Sequence, residues 1–537
     1  MIKFFNKEAK SIVGAAAIVG VLSFVSRIVG LVRDRILAGE FGAGDTLDIY
    51  YAAFKIPDFL FSLIVVGALS ASFIPIFVNQ YQKRFSNDKA WEFTNNILHV
   101  LGALMLVVII ILFVFAEPFA RIVAPGFPEV KQQLVASFMR VMVFAQLLLT
   151  ASMVFGSVLQ SLKRFFLYSL APIFYNVGII IGAVFFVEWM GMIGLAWGVV
   201  FGAFLHLVVQ LVGVRNVGYA YRFSLSLKDK STLKLLRLTG PRLLGIATSQ
   251  ILFLILAILA STLVVGSVTI FQFAYNIQFF AVGIVGISFA VAVFPTLSAH
   301  ASKNRSDEFV QTLSSTILQV LFLMVPLTIL FLVLRAQIVR VVVGAGAFDW
   351  AATIATADTL AFFALTFIPQ ALVFILARAY FALHDTITPL VAAVVGAVVG
   401  IISAFLFIDG FGVIGLGMAY SLASLINAII LWNSLRSRIG SLDELRILQS
   451  FTKMIVAGLV CGVVMQLLKP IAVAILSLDT FFGVLSQGLL AGGLGLIAYS
   501  FVSFLLGSEE QKAFIASIRR KVLRKSEPTE TLSGQTN

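Results

Sequence analysis

The chain has 537 residues, of which 60% are hydrophobic and only 12% are charged. A water-soluble domain carries about 45–50% apolar and about 25% charged residues, so this composition excludes an ordinary soluble protein. The formal net charge of +13 is compatible with nucleic-acid binding. In a membrane protein, however, the distribution of basic residues matters more than their sum, and we expect no nucleic-acid partner. The single cysteine, Cys461, excludes a disulfide framework and a thiolate metal site.

The first residues resemble a signal peptide, because Lys3, Lys7 and Lys10 precede an apolar stretch. That stretch is longer than the apolar region of a signal peptide, and it contains Arg27 and Arg33. We therefore interpret it as the first transmembrane helix.

Apolar windows follow one another along the whole chain. A helix needs about 20 mostly apolar residues to span the hydrocarbon core of a bilayer. Such windows lie near residues 11–37, 47–80, 92–116, 133–160, 167–187, 191–214, 236–264, 267–299, 309–334, 352–383, 388–408, 411–434, 451–468 and 481–506. The sequence therefore predicts an all-α polytopic membrane protein of about fourteen transmembrane helices.

The loops between these windows alternate in charge. Basic residues concentrate near residues 83–89, 163–164, 215–234, 303–305 and 436–446, whereas the intervening loops are mostly neutral or acidic. Since basic loops stay on the cytoplasmic side, the alternation predicts a multi-pass protein of the inner membrane with both termini in the cytoplasm. The basic stretch after Gly507 is either an amphipathic helix on anionic membrane lipid or an ordinary anchor with a disordered end.

Two pairs of similar fragments indicate an internal repeat. Pro75 and Pro295 end the second and eighth windows after similar residues, and Pro172 and Pro389 follow similar aromatic fragments, so both pairs are offset by ~220 residues. An even number of helices separates the partners, which predicts two similar six-helix lobes around an axis along the membrane normal. The predicted divisions are an N-lobe at 1–214, a cytoplasmic linker at 215–235, a C-lobe at 236–434, two further helices at 435–507 and a basic cytoplasmic tail at 508–537.

The first helix carries charged residues that do not suit a lipid-facing surface. Ser26, Arg27, Gly30, Arg33 and Asp34 recur at helical spacing and are predicted to share one side of the helix. An arginine that faces lipid at the bilayer centre costs about 2.5–3.5 kcal/mol on insertion scales. We therefore expect Arg27 and Arg33 to face a watery cavity or a partner. Because the arginine fork suits phosphate, such a cavity points to an anionic, phosphorylated substrate.

Other polar residues inside the windows are weaker indications. We interpret Lys55 and Asp58, three residues apart, as a mutual ion pair, and Asn276 as either a cavity residue or a helix–helix hydrogen-bonding residue. Arg242 is interpreted as a headgroup ligand or a cytoplasmic anchor, and Arg35 as a side chain that reaches the outer interface. Further polar residues of the windows are interpreted as packing or interfacial residues: His99, Arg140, His206 and Asp358.

Enzyme signatures are missing from the sequence. It contains no Walker-type phosphate-binding loop, no metal-spaced cluster of His, Cys and carboxylates, and no nucleophile elbow. We therefore expect a protein that is not an enzyme and that has no cofactor. Transport without a nucleotide-binding domain would be driven by a gradient, by the membrane potential or by the substrate's own disequilibrium, and the sequence identifies no coupling ion.

Several motifs resemble those of the MurJ (MviN) lipid II flippases, a family of the multidrug/oligosaccharidyl-lipid/polysaccharide exporter superfamily. The resemblance covers most of the chain, and the first and last of its motifs are specific in combination. The motifs are Ser26-Arg27-x-x-Gly30-x-x-Arg33-Asp34, Phe41-Gly42-Ala43-Gly44 with Asp48, Ala53-Phe54-Lys55-Ile56-Pro57, Ala124-Pro125-Gly126-Phe127, Gly240-Pro241-Arg242, Phe294-Pro295-Thr296-Leu297-Ser298 and Arg378-x-Tyr380-x-Ala382-x-x-Asp385-Thr386-x-Thr388-Pro389.

The resemblance implies two six-helix lobes around a V-shaped central cavity, with two extra helices that form a lipid-facing groove. It also implies a substrate, lipid II, which is undecaprenyl diphosphate carrying a disaccharide-pentapeptide and which is moved to the outer leaflet by alternating access. The candidate substrate-binding residues are Ser26, Arg27, Arg33, Asp34, Asp48, Arg242 and Asn276.

The chain departs from the family pattern at two places that lower the positive charge of the cavity. Where the family commonly has paired arginines and then a glutamate late in the second helix, this chain has Phe61, Ser62 and Val66. Where the family commonly has an arginine in the eighth helix, this chain has Asn276. The departures leave open the export of another polyprenyl-linked saccharide. Further alternatives are a drug/cation antiporter, which should show cavity carboxylates, and a non-transporting membrane scaffold.

Overall fold

The structure is a computed structural model that describes residues 12–69, 73–81, 88–303, 305–473 and 480–523. Almost all of these residues are helical, and no β-strand occurs among them. The helices are α1 (Ile12–Phe41), α2 (Asp45–Phe61), α3 (Phe73–Tyr81), α4 (Asp88–Val114), α5 (Ala116–Val123), α6 (Glu129–Ser161), α7 (Phe165–Ile181), α8 (Ile193–Arg215), α9 (Lys230–Ser261), α10 (Ser267–Val282), α11 (Ser288–Ser302), α12 (Ser306–Val333), α13 (Arg335–Val342), α14 (Trp350–Ala364), α15 (Phe367–Ala382), α16 (Ile387–Ile439), α17 (Glu444–Val473), α18 (Phe481–Leu505) and α19 (Glu509–Leu523).

Three helices continue into five-residue π-helical segments. Ser62–Val66 follows α2, Gly182–Phe186 follows α7, and Gly283–Ile287 joins α10 to α11. A π-helical segment inserts an extra residue into a helix and turns the side chains that follow it to a different direction, often at functional sites. The first of these segments begins at Ser62, one of the positions at which the sequence departs from the family pattern.

The helices have the length and surface of membrane spans. Ten helical stretches in the described ranges are long and apolar enough to cross a membrane, or eleven if α14 and α15 form one span. In α4, only 33% of the apolar window is buried inside the protein, and its exposed side chains include Leu104, Leu106 and Val107. Such a surface suits lipid and not water, so the chain is a multi-pass membrane protein.

The predicted number of fourteen spans is not confirmed by these criteria. One reason is α16, which covers two predicted windows, 388–408 and 411–434, in a single helix of 53 residues. Within it, Gly412 has a positive φ of 55° and a ψ of −133°, a backbone conformation that favours glycine and breaks the helical path.

One compact unit comprises Met1–Phe280, Ile338–Thr366 and Thr386–Ile430. Within it, α1 and α8 both pack against α7. The contact between α7 and α8 depends on glycines, because a Cβ atom added to Gly178 would lie 2.3 Å from the Cα atom of Gly202. Small residues at such positions let membrane helices approach closely. This packing fixes the position of α7 and thereby of the polar residues that α7 presents to α1.

The second unit comprises Ala281–Gln337, Phe367–Asp385 and Leu431–Asn537. Two residues of the fragment 378–389, Tyr380 and Asp385, form contacts within this unit. The Tyr380 hydroxyl is buried and donates to the carbonyl oxygen of Leu431 at 3.0 Å, and Arg438 pairs with Asp385 at 2.7 Å. These two residues of the fragment therefore stabilise the second unit itself.

Candidate functional site

A polar cavity of about 270 Å³ lies inside the first unit, lined by residues of α1, α2, α7, α9 and α10 and by Ser62. Three of its lining side chains are charged: Arg33, Lys55 and Asp58. Its other lining residues supply aromatic rings, amides, hydroxyls and alkyl groups: Tyr50, Tyr51, Phe54, Phe59, Ser62, Tyr175, Ile179, Gln250, Phe253, Leu254, Gln272 and Asn276. The cavity is therefore able to bind a charged group and an apolar group at the same time.

Arg33 reaches the cavity from α1 with its charge already compensated. Its Nε and Nη2 atoms donate to one oxygen of Asp34 at 3.0 and 2.7 Å, and its Nη1 atom donates to Asn176 Oδ1 at 2.9 Å. The Asp34 side chain is only 3% exposed. Removing one partner of such a buried pair typically costs about 3–5 kcal/mol, because the remaining charge stays buried and uncompensated.

A chain of hydrogen bonds continues from Asp34 across the cavity to Lys55. Asn276 Nδ2 donates to the second oxygen of Asp34 at 2.9 Å, and Gln272 Nε2 donates to Asn276 Oδ1 at 2.8 Å. Lys55 Nζ then donates to Gln272 Oε1 at 2.6 Å. The network joins α1, α2 and α10, so the helix–helix hydrogen bonding predicted for Asn276 as one alternative is confirmed.

Lys55 and Asp58 do not form the mutual ion pair that their spacing predicts. The Lys55 ammonium turns towards Gln272 and lies 4.4 Å from the centre of the Phe253 ring. Asp58 accepts a hydrogen bond from Gln146 Nε2 at 3.1 Å. Each side chain finds a hydrogen-bonding partner on a different helix, and an aromatic face further stabilises the ammonium.

Arg27 lies beside α10 but does not line the cavity. Its Nη1 atom is 3.4 Å from the carbonyl oxygen of Phe279, and its guanidinium lies 5.7 Å from the centre of the Phe279 ring. Both predicted arginines of α1 therefore contact α10 or its hydrogen-bonding network, but only Arg33 enters the cavity. Ser26 is also outside the cavity lining. The side chain of Arg242 lies outside the described part of the structure.

Asp48 is buried away from the cavity and holds the beginning of α10. Its carboxylate accepts from the backbone N–H groups of Gly266 and Thr269 at 2.7 and 3.0 Å and from the Thr269 hydroxyl at 2.8 Å. Lys131 Nζ lies 3.4 Å from Asp48 and 2.6 Å from Asp45. This geometry resembles a helix N-cap supplied by another helix.

Arg35, which the sequence predicts to reach the outer interface, contacts the backbone of α13. Its Nη1 atom donates to the carbonyl oxygens of Arg340 and Val341 at 3.3 and 2.7 Å. These carbonyls lie in the last turn of α13, at the negative end of the helix dipole, which favours a cation.

Some residues that hold the charged side chains of the cavity in place were not predicted from the sequence. Asn176 is one example: it is an isolated amide in an apolar helix, four residues after Pro172, and its Nδ2 atom donates to the Pro172 carbonyl at 3.1 Å. A polar residue near an intrahelical proline could have marked Asn176 as a candidate. The sequence could not show its partner, because Arg33 is 143 residues away. In the part of the chain that the structure describes, no group of three or more His, Cys, Asp and Glu residues is placed to hold a metal ion.

The chain is similar to known proteins over most of its length. A family model described as lipid II flippase MurJ matches residues 37–505. A relative named probable lipid II flippase MurJ, from Buchnera aphidicola subsp. Baizongia pistaciae, is 25% identical over 93% of this chain and 98% of its own length. A relative of the same name from Bdellovibrio bacteriovorus is 26% identical over 96% of this chain and 98% of its own length.

Solved structures share the fold. One described as lipid II flippase MurJ in an inward closed conformation has a TM-score of 0.75 and 24% identity, and the match covers 91% of this chain and 99% of that chain. An inward-facing multidrug resistance MATE family transporter of the MOP superfamily has a TM-score of 0.65 and 13% identity, over 79% of this chain and 99% of that chain. Since the family model spans most of the sequence, the protein belongs to the lipid II flippase MurJ family.

Proposed function

We propose that this protein moves lipid II from the cytoplasmic to the outer leaflet by alternating access, as a transporter that catalyses no chemical reaction. Family membership supports the substrate class. The observation that carries the proposal is the placement of two cationic side chains, Arg33 and Lys55, in one polar cavity between membrane helices. A diphosphate presents several anionic oxygens, and an arginine fork and a lysine ammonium are the groups that bind such oxygens.

The hydrogen-bond network indicates how the diphosphate would enter. Arg33 binds a single oxygen of Asp34 through two of its nitrogens, so a phosphate oxygen is able to take the place of that carboxylate oxygen. The exchange keeps the guanidinium neutralised at every stage, and its cost is the lost ion pair at the buried Asp34 carboxylate. Asp34 would keep its hydrogen bond from Asn276 and bind Arg33 again when the substrate leaves. The contact of Arg27 with Phe279 of α10 is exposed, whereas Arg33 is partly buried. Arg27 would therefore meet the headgroup before Arg33 does.

The size of the cavity supports alternating conformations. Sites for drug-sized ligands usually occupy about 300–1,000 Å³. The cavity of about 270 Å³ holds a diphosphate but is too small for a disaccharide-pentapeptide as well. The complete headgroup would therefore require a more open conformation, while the polyprenyl chain would remain in the surrounding lipid.

Export of another polyprenyl-linked saccharide is the second candidate, and the charge of the cavity favours it. Ser62 lines the cavity at a position where the family commonly has an arginine, and Asn276 replaces another. The two remaining cations share the site with Asp34 and Asp58. Such a balanced cavity gives a weaker attraction for diphosphate than a cationic one and leaves more of the recognition to the saccharide.

Depletion of the protein in its native cells tests the two candidates. We expect lipid II to accumulate and to remain inaccessible to enzymes or probes added outside the membrane. Accumulation of a different polyprenyl-linked saccharide, with normal exposure of lipid II, would support the second candidate. Re-expression of the wild-type chain must reverse the accumulation, which controls for indirect effects on cell-wall synthesis.

A further inference from the structure

The connection between α8 and α9 is a non-helical loop with an apolar tip. Residues 219–226 have no regular secondary structure, although the sequence around them is rich in basic residues. Tyr221, Phe223, Leu225 and Leu227 alternate with polar or small residues and are between 53% and 75% exposed. Four large apolar side chains in one solvent-exposed loop form a patch that needs a partner.

The base of this loop is fixed to α4. Asn95 Nδ2 donates to the carbonyl oxygen of Ala220 at 2.9 Å, and the Asn96 amide exchanges two hydrogen bonds with the Ser226 backbone, at 2.8 and 2.6 Å. Tyr219 donates to Asn95 Oδ1 at 2.5 Å. Burial beside Trp91 and Phe155, together with the nearby Tyr221 hydroxyl, raises the pKa of Tyr219 to about 12, so this donor stays protonated.

The loop arches along α4 towards the membrane. A fully extended chain would separate residues 220 and 226 by about 20 Å, but both bind adjacent residues of α4, so the segment between them must loop out. Its tip leans on His99, one turn further along α4: His99 Nε2 lies 3.0 Å from the Tyr221 hydroxyl, and the His99 ring centre lies 4.8 Å from that of Phe223.

His99 is the last polar residue before the apolar stretch of α4. The residues of α4 that follow His99, 100–114, are all apolar or glycine and extend about 22 Å at the helical rise, which fits within the hydrocarbon thickness of about 30 Å. The tip of the loop therefore lies level with the beginning of the membrane span, on the side where Arg215, Arg222 and Lys228 are exposed.

We propose that residues 219–227 anchor the connection between α8 and α9 to the membrane surface, with Tyr221, Phe223, Leu225 and Leu227 inserted at the boundary between headgroups and acyl chains. Arg222 and Lys228 bind anionic phospholipid headgroups beside them. Aromatic side chains favour this depth, and each basic residue near an anionic surface adds to the attraction. The loop backbone stays at the level of the headgroups, where water satisfies its unpaired N–H and C=O groups.

Lipid fits these observations better than a soluble protein partner does. The apolar tip adjoins a helix surface that already faces lipid, and the flanking charge is basic, which complements an anionic leaflet. The proposal is independent of the headgroup site, because none of the loop residues lines the cavity.

Spin labels on the full-length protein test the proposal. Cys461 is replaced by alanine, and single cysteines are introduced by Phe223→Cys or, as a matched control in the same connection, Asn216→Cys. The labelled proteins are placed in nanodiscs of phosphatidylglycerol and phosphatidylethanolamine, and collisions with oxygen and with a water-soluble nickel chelate are measured. We expect the ratio of oxygen to nickel collisions to be several-fold higher at residue 223 than at residue 216.

A second variant separates charge from apolar insertion. In an Arg222→Glu, Lys228→Glu background, the ratio at residue 223 should fall towards the value measured in nanodiscs of neutral phosphatidylcholine. Equal nickel access at residues 223 and 216 in the anionic nanodiscs would overturn the proposal, and the apolar tip would then be a site for a protein partner. Because the readout involves no transport, it is separate from any failure of the proposed flippase activity.

Discussion

At the level of single residues, the cavity is electrically balanced. Arg33 is neutralised by Asp34, whereas Lys55 and Asp58 each bind a neutral amide, Gln272 and Gln146. An anionic ligand would therefore gain most from Lys55, whose charge has no carboxylate partner within the network. It would also be repelled by Asp58, one turn further along α2.

Substitutions of these two residues should have opposite effects on diphosphate binding. Lys55→Met removes a charged donor worth about 1.5–3 kcal/mol, so the Kd for undecaprenyl diphosphate should rise about tenfold or more. Asp58→Asn removes a repulsive charge and should lower the Kd by about three- to tenfold. The measurement is a titration of the purified protein in detergent. Arg121→Ala, which alters an exposed surface pair with Glu129, should leave the Kd unchanged.

If both substitutions weakened binding equally, the cavity would depend on the hydrogen-bond network and not on its charge. The sequence predicts that Arg27 and Arg33 face a watery cavity or a partner, because an arginine in lipid is costly. In the structure Arg33 lines the cavity and Arg27 contacts Phe279. The sequence could not distinguish Arg27 from Arg33. The partners that separate them, Phe279 and Asn176, are supplied by helices 252 and 143 residues away.

At the level of helices, Asp48 shows how one side chain fixes two elements. It lies in the first turn of α2 and receives the backbone donors at the beginning of α10. Asp48 is a candidate substrate-binding residue because of the resemblance to the family. Both of its carboxylate oxygens already accept hydrogen bonds from Gly266 and Thr269, which indicates a structural role.

Asp48→Ala should therefore lower the stability of the protein more than it alters ligand affinity. The substitution leaves two buried backbone N–H groups without an acceptor, which costs about 2–4 kcal/mol. Thermal unfolding of the purified protein should show a Tm several degrees lower. Asp45→Asn, at an exposed position on the same lysine, is the matched control and should change the Tm little. An unchanged Tm with a large loss of lipid II affinity would instead assign Asp48 to the binding site.

Helix positions were largely predictable, because runs of apolar residues are visible in any sequence. The places where the helices depart from regular α-helical geometry were not predictable. The π-helical segments at Ser62–Val66 and Gly182–Phe186 have no clear sequence signal, and Gly412 is one of many glycines in apolar helices. Such deviations depend on what packs against the helix, which periodicity along one chain does not contain.

At the level of the whole molecule, the two six-helix lobes and the orientation in the membrane remain predictions from the sequence. The repeat at an offset of ~220 residues and the alternation of basic loops support them. We propose that the protein resides in the inner membrane with both termini in the cytoplasm.

Reporter fusions test this orientation. A reporter fused after Asn537 should be active only as a cytoplasmic reporter, whereas one fused after Gly191, between α7 and α8, should be active only outside. The contrast between the two fusions follows from the basic loops that flank them. External activity after Asn537 would mean that the predicted cytoplasmic location of the C-terminus is wrong.

We propose that Arg33 binds the diphosphate of the transported lipid, and lipid II flipping by purified variants at matched abundance in proteoliposomes tests this role most directly. We expect Arg33→Ala to abolish flipping and Arg33→Lys to restore only part of it, because an ammonium lacks the planar fork. Arg27→Ala should reduce flipping less, and Arg121→Ala should flip as the wild type does. Full flipping activity of Arg33→Ala, with normal insertion and stability, would show that Arg33 does not bind the diphosphate.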